Sequence, residues 1–273
     1  MDGLLACPVC ELELDPGPRA YGCAQGHSFD VARQGYVNLA PAGSPGGDDA
    51  AMVAARADFL AGGWFDPLSA ALAADAAEAA GPGAVAELGA GTGHHLAAVL
   101  DALDHDRSGV ALDASVYAAR RAARAHPRAI SLVADAWGRL PLLDGSLGLA
   151  LVVFAPRAGA EIARVLGPGG TLLAAVPSQR HLAELAGPLG LLDVDPAKDD
   201  RLHRALEPEL QQVGSRDVEW TMSLDRTAAE ALAAMGPSAR HFDHDELLRR
   251  IEDLEEPVSV TGSVSLSRWR AAA

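Results

Sequence analysis

The sequence predicts an α/β fold: a seven-stranded, mostly parallel sheet covered by helices and preceded by a small N-terminal metal-binding module. Three observations predict it. From residue 84 onward, short apolar runs alternate with amphipathic stretches, the pattern of successive βα units. The first run ends in a turn with glycine at 89, 91 and 93 that opens directly into an amphipathic stretch. All 3 cysteines fall within the first 23 residues, an odd and local set that does not suit a disulfide framework.

At 273 residues the chain holds one α/β domain of ordinary size plus an accessory module. The expected organisation is a zinc-binding module at 1–40, a linker and helical connection at 41–83, and the main domain at 84–273. The apolar fraction of 49% supports a sizeable core. A net charge of −15 argues against a broadly basic nucleic-acid surface, although arginine patches can sit on an acidic background. No apolar run is long enough for a membrane span. The start, Met-Asp-Gly-Leu-Leu-Ala-Cys, lacks the basic and apolar regions of an export signal, so a cytoplasmic protein is expected.

Taken in order, Cys7, Cys10, Cys23 and His27 give C-x2-C-x12-C-x3-H. That spacing suits a Cys3His zinc site in which two short knuckles supply two ligands each. Tyr21 and Phe29 can pack around it, and Zn2+ would supply much of the folding energy of so small a unit. Residues 40–50 are a Pro/Gly-rich linker. Helices are expected at 51–60 and 67–80. Strands follow at 84–88, 109–112, 129–134, 149–154, 171–176, 218–223 and 258–266, with helices at 96–103, 116–125, 159–166, 227–235 and 243–254 between them.

A dinucleotide fingerprint requires G-x-G-x-x-G. Counted from Gly89, the sixth position is His94, so that pattern fails. The observed E-x-G-x-G-x-G resembles the first motif of Rossmann-like class I S-adenosylmethionine-dependent methyltransferases. Asp113, ending the second strand, stands where a carboxylate can accept both ribose hydroxyls; it could also cap the next helix. The resemblance implies that Glu87, Gly89, Ala90, Gly91, Gly93 and His95 form the cofactor turn. It also implies that Asp135 and Ala136 stand beside the adenine.

Module and core together resemble the RlmA family of 23S rRNA (guanine-N1)-methyltransferases, which includes the tylosin- and mycinamicin-resistance enzymes of macrolide producers. The resemblance is carried by Cys7-Pro8-x-Cys10, Cys23-x-x-Gly26-His27-Ser28-Phe29-Asp30 and Ala32-Arg33-x-Gly35-Tyr36-Val37-Asn38-Leu39. It continues through Met52, Ala55-Arg56, Phe59-Leu60, Gly62 and Pro67-Leu68, then Ala155-Pro156 and Arg180-His181-Leu182-x-Glu184-Leu185. It implies methyl transfer to N1 of a guanine in the exit-tunnel hairpin of large-subunit rRNA, with no DNA or membrane partner, and a homodimer. The turn from Met235 to His241 resembles the Gram-positive and producer branch, some of whose members confer macrolide resistance.

One segment departs from the family: 43–49 lacks the basic stretch that some members carry. Candidate RNA contacts are therefore Arg19, Arg33, Arg157 and Arg180, and candidate stacking partners are Trp64, Phe65, Trp137 and Phe154. No catalytic base is assigned; His181, Asp30 and Glu161 are the residues available to take a proton. Two other readings compete, a small-molecule methyltransferase with an accessory zinc ribbon and a non-catalytic RNA-binding zinc-ribbon protein.

Overall fold

The structure, a computed structural model, describes residues 3–271 apart from 42, 45, 156–157, 191–194, 196–197, 208 and 237–243. Arg157 and most of the 235–241 turn therefore lie outside the described residues. The N-terminal module is a three-stranded antiparallel sheet of β1 (Asp15–Pro16), β2 (Ala20–Gly22) and β3 (Ser28–Asp30). Next come β4 (Tyr36–Asn38) and two helices, α1 (Ala50–Ala61) and α2 (Asp66–Ala79). Asp49 caps α1 by accepting the Ala51 and Met52 amides at 2.9 Å. Pro67 stands in the first turn of α2, where its missing N–H costs nothing.

The main sheet follows as β5 (Ala84–Leu88), β6 (Gly109–Asp113), β7 (Ala129–Val133), β8 (Leu147–Val153), β9 (Leu166–Pro177), β10 (Leu210–Leu224) and β11 (Val258–Ala271). Its helices are α3 (His94–Ala102), α4 (Val116–Ala122), α5 (Gly159–Val165), α6 (Ala183–Leu189), α7 (Lys198–Leu206), α8 (Arg226–Met235) and α9 (His244–Glu252). The strand order is β10-β11-β9-β8-β5-β6-β7-β4, in which β11 runs antiparallel to both neighbours. The chain runs outward from β5 through β6 to β7, then returns to lay β8 on the other side of β5. A topological switch point therefore lies at the carboxyl ends of β5 and β8, where open α/β sheets bind ligands.

The expected seven strands are all present, and the sheet has an eighth. Tyr36, Val37 and Asn38 pair in parallel with Ser131, Leu132 and Val133, and Leu39 N–H donates to the Val133 carbonyl at 2.9 Å. This segment covers what would otherwise be the open edge of β7. The α4 helix stops at Ala122, short of 125, with tight turns ahead of Pro127. Two short helices, α6 and α7, lie where no regular pattern is expected.

Each face of the sheet carries its own core. On one face Leu112, Leu132, Ala150 and Leu172 pack with Ile162 and Leu206, and Leu4, Leu5, Leu14 and Leu39 from the N-terminal segment join the same cluster. On the other face Val85, Leu149 and Leu173 meet Leu68, Leu72, Leu96 and Leu100 of α2 and α3. A third cluster joins Phe59 and Phe65 to Leu185, Met222, Leu232 and Ile251. It anchors the α1–α2 corner over the carboxyl ends of the strands.

Candidate cofactor crevice and metal site

The four metal-ligand candidates converge. One donor atom from each of Cys7, Cys10, Cys23 and His27 lies within 4.8 Å of every other. The Cys10–Cys23 sulfurs are 3.6 Å apart, and His27 Nδ1 is 3.6 Å from Cys7 Sγ and 3.4 Å from Cys23 Sγ. A tetrahedron with zinc–sulfur bonds of about 2.3 Å and zinc–nitrogen bonds of about 2.0 Å has edges of about 3.5–3.8 Å. The donor set and its edges therefore fit Zn2+. Each knuckle turns on a left-handed residue, Glu11 at φ 62° and Gly26 at φ 85°. Burial pushes the Cys23 thiol up, but hydrogen bonds from the Gln25 and His27 backbone and from the Cys10 and His27 side chains together outweigh it and bring the group down to about 6. That favours the thiolate a metal needs.

At the switch point, Gly89, Gly91 and Gly93 take φ of 75°, 54° and 78°, so the turn uses the left-handed freedom of glycine three times in five residues. Two acids hold it from behind. Glu87 is buried beneath the turn and accepts the Leu96 amide at 3.0 Å; burial pushes its carboxyl up to about 8, against the pull of that hydrogen bond. Asp113 accepts the Gly91 amide through one oxygen and the Ser115 amide through the other, both at 2.8 Å. The cap of α4 is Ser115, whose Oγ accepts the Ala118 amide. Asp113 thus ties the glycine turn to the start of α4, and each oxygen keeps a second lone pair for a ligand hydroxyl.

Asp135 is half-buried after β7, where it accepts the Trp137 amide at 2.8 Å. Ala134 and Asp135 share a cavity of about 330 Å³ with Asn38, Ala40, Gly46 and Ala114, within the size range of small-molecule sites. One wall of that cavity comes from the linker. The glycine turn, Asp113 and this cavity follow one another along the ends of the adjacent strands β5, β6 and β7, and together they define the candidate crevice. The His95 imidazole does not face it. It is buried between α2 and α3 with Nδ1 2.8 Å from Ser69 Oγ, and burial pushes it down to about 3, so it stays neutral. What His95 can offer the crevice is its backbone amide in the first turn of α3.

Residues missed in the sequence reading also stand here. Arg56 reaches over the glycine turn, its side chain 3.5 Å from the point where a Gly91 Cβ would lie. It pairs with Asp48 at 2.6 Å and donates to the Met235 carbonyl at 2.8 Å. Ser115 Oγ donates to the Asp48 carbonyl, so linker, α1, α4 and the end of α8 meet at one ion pair. Burial pushes the Asp113 carboxyl up and Asp48 adds to this, while Arg56 and the two amides pull it down. A sequence signal existed for Arg56, which lies on the stripe of Met52 and Phe59 that α1 buries. A charge on an apolar stripe calls for an inward partner. His94 opens α3 directly after the glycine turn; its Nε2 is buried, makes no hydrogen bond to the described residues and lies 3.6 Å from Asp66 Oδ1.

The three possible proton acceptors separate. Glu161 is bound by Arg164 at 2.6 Å and by the Leu140 amide at 2.9 Å. Burial pushes Glu161 up, but these partners outweigh it and hold the carboxyl below its ordinary range. Asp30 is exposed on β3 of the metal module. His181 packs 5.4 Å from the Phe154 ring, just beyond the end of β8, and its Nδ1 accepts the Ser263 amide at 3.1 Å. The neutral ring then carries its proton on Nε2, the tautomer of a donor rather than a base. Among the RNA-contact candidates, Arg19 and Arg33 are exposed on the N-terminal segment, and Arg180 pairs with Glu219 at 3.0 Å.

Residues 5–44 match the family model described as the N-terminal zinc ribbon of RlmA. Three relatives match through most of their length. A 23S rRNA (guanine(748)-N1)-methyltransferase of Streptomyces fradiae is 50% identical, covering 97% of this chain and 96% of its own. A protein of Micromonospora griseorubida assigned the name 23S rRNA (guanine-N1)-methyltransferase is 49% identical, with 97% of each chain covered. A Bacillus subtilis protein assigned the same name is 30% identical over 67% of each chain.

Proposed function

The chain belongs to the family of 23S rRNA (guanine-N1)-methyltransferases, and on that premise we propose that it methylates N1 of a guanine in the exit-tunnel hairpin of 23S rRNA. The proposed target is the guanine equivalent to position 748, the one printed for the Streptomyces fradiae relative. The observation that carries this reading is identity of about half along nearly the whole of both chains, metal module included.

S-adenosylmethionine supplies the electrophilic methyl carbon when bound. We assign its cradle to the backbone of Gly89, Ala90, Gly91, Gly93 and His95, with Glu87 bracing the turn from below. Asp113 takes the ribose hydroxyls, and Asp135 with Ala136 borders the adenine. Arg56 sets the charge over the turn. Cys7, Cys10, Cys23 and His27 hold a structural Zn2+, with all four positions filled by protein, as in sites that do no chemistry. In this organisation 1–40 is the metal module, 41–83 the connection that walls the crevice, and 84–273 the catalytic domain.

The chain's task toward the acceptor is alignment. In-line attack requires the N1 lone pair to face the methyl carbon at near-contact distance, and fixing that geometry removes much of the barrier. N1 of guanine carries a proton at neutral pH. A hydrogen-bond donor held at the oxygen next to N1 favours the deprotonated base.

The decisive experiment is methyl transfer to unmodified 23S rRNA, mapped by the reverse-transcription stop that N1-methylguanine causes. Methyl appearing only on a small molecule would sink the proposal. The producer-type reading adds that expression in a susceptible host raises resistance to macrolides such as tylosin or mycinamicin. A cytoplasmic location follows from the ribosomal substrate; no helix among the described residues is long and apolar enough to cross a membrane. We propose a homodimer through the metal module, where Val9 is 64% and Leu12 41% exposed, and light scattering tests it.

A further inference from the structure

Phe154 is held in a way that neither the cores nor the cofactor cradle requires. It follows the last residue of β8, and the pairing of Glu87 with Leu151 sets it level with Ala90 in the glycine turn of the neighbouring strand. Its backbone lies at φ 54°, a region unfavourable for a bulky side chain and typical of functional positions when it persists. The residue is 39% exposed.

The exposed ring is firmly braced. The Phe154 amide donates to the Ala175 carbonyl at 3.0 Å. The ring packs against His181 at 5.4 Å and against Phe65 at 6.1 Å. Phe65 is itself buried between Phe59 and Trp220, at 5.4 Å from each ring. Trp220 Nε1–H donates to the Trp64 carbonyl at 2.8 Å, and its ring lies where a side chain on Gly262 would overlap it. His181 is fixed by the Ser263 amide. Three separate segments therefore hold one aromatic ring beside the glycine turn.

We infer that Phe154 is the stacking platform for the acceptor purine, with His181 behind the ring as a positioning residue. The inference rests on the proposed rRNA substrate. A base drawn out of its stack loses aromatic contact on both faces, and a fixed protein ring restores one of them whatever the base identity. Two other large aromatics are exposed near this end of the sheet: Tyr117, at 46%, in the first turn of α4 with the Arg120 guanidinium over its ring, and Trp137, at 68%. Trp137 follows β7, three strands from β8, about 14 Å away at roughly 4.8 Å per strand. Phe154 alone of the three comes directly off a strand paired with β5, level with the glycine turn.

The test uses a 23S rRNA hairpin carrying 6-thioguanosine at the methylated position, irradiated with the full-length protein and S-adenosylhomocysteine. The adduct is expected on the peptide containing Phe154. In parallel, F154L should lose roughly ten- to a hundredfold in kcat/KM for the hairpin, with cofactor affinity unchanged by calorimetry, and F154Y should stay within a few-fold of wild type. H181N, whose side-chain carbonyl can accept the Ser263 amide, should retain more activity than H181A. Wild-type kinetics from F154L, or an adduct mapping to Trp137, would overturn the platform and leave the methyltransferase reading standing. A wild-type protein that binds the cofactor yet methylates no rRNA would overturn both.

Discussion

A carboxyl group sealed beneath a glycine turn makes folding depend on pH. Glu87 keeps its proton up to about pH 8 in the folded chain because burial disfavours the charge, whereas its ordinary value is 4.5. Between those values the folded state binds more protons than the unfolded one. Stability from this group is therefore full below about pH 4.5 and is lost as pH rises toward 8. Glu87→Gln keeps an acceptor for the Leu96 amide and cannot ionise. In urea unfolding of the cofactor-free protein, its stability relative to wild type should rise from pH 5 to pH 8, on the order of 2–4 kcal/mol; parallel curves would refute the burial argument. Arg56 acts in the opposite sense on its neighbour: burial raises the Asp113 carboxyl, and the Arg56 charge offsets part of that rise. Arg56→Ala should weaken cofactor binding about tenfold, the scale of one lost charged hydrogen bond. Calorimetry of Arg56→Ala, Asp48→Asn and the double variant should show strong non-additivity.

Among elements, those with a local cause could be read from sequence and those with a distant cause could not. The strands β5 to β9 announce themselves as apolar runs between glycine and proline turns, and the glycine turn needs only its own residues to be recognised. The β4 strand has three residues, too few for a period; what makes it a strand is the edge of β7, almost a hundred residues later. The α6 helix contains Gly187 and Pro188, and α7 is mostly charged, with Leu202 and Leu206 as its buried contacts. The same division applies to the site. Asp113 and Asp135 follow from position at strand ends, whereas the Asp48–Arg56 pair depends on how the linker folds back. The metal module should behave as an element in its own right: Cys23→Ser, or chelation, should release about one zinc per chain. Because Leu5, Cys7 and Leu14 share the main core, the thermal midpoint should fall by about 5–15 °C, corresponding to a few kcal/mol. An unchanged midpoint after proven metal loss would show that the ribbon is not stabilised by its ion.

For the whole molecule, that shared core changes how the competing activities can be told apart. Removing residues 1–40 looks like a clean way to ask whether the metal module serves an RNA acceptor. The structure argues otherwise. Leu4, Leu5, Leu14, Val37 and Leu39 are each no more than 3% exposed, and their loss bares apolar surface on the sheet while reopening the edge of β7. The truncated chain should therefore aggregate or bind hydrophobic dyes, whichever acceptor the enzyme uses. A surface change asks the question without that penalty. Arg19 and Arg33 are exposed, so Arg19→Glu with Arg33→Glu should leave the fold, the zinc content and S-adenosylmethionine affinity intact. If the module docks RNA, charge reversal on an already acidic chain of net charge −15 should raise KM for rRNA at least tenfold and flatten its dependence on salt. A small-molecule acceptor would register no change in either, because nothing in its capture depends on phosphates reaching the ribbon.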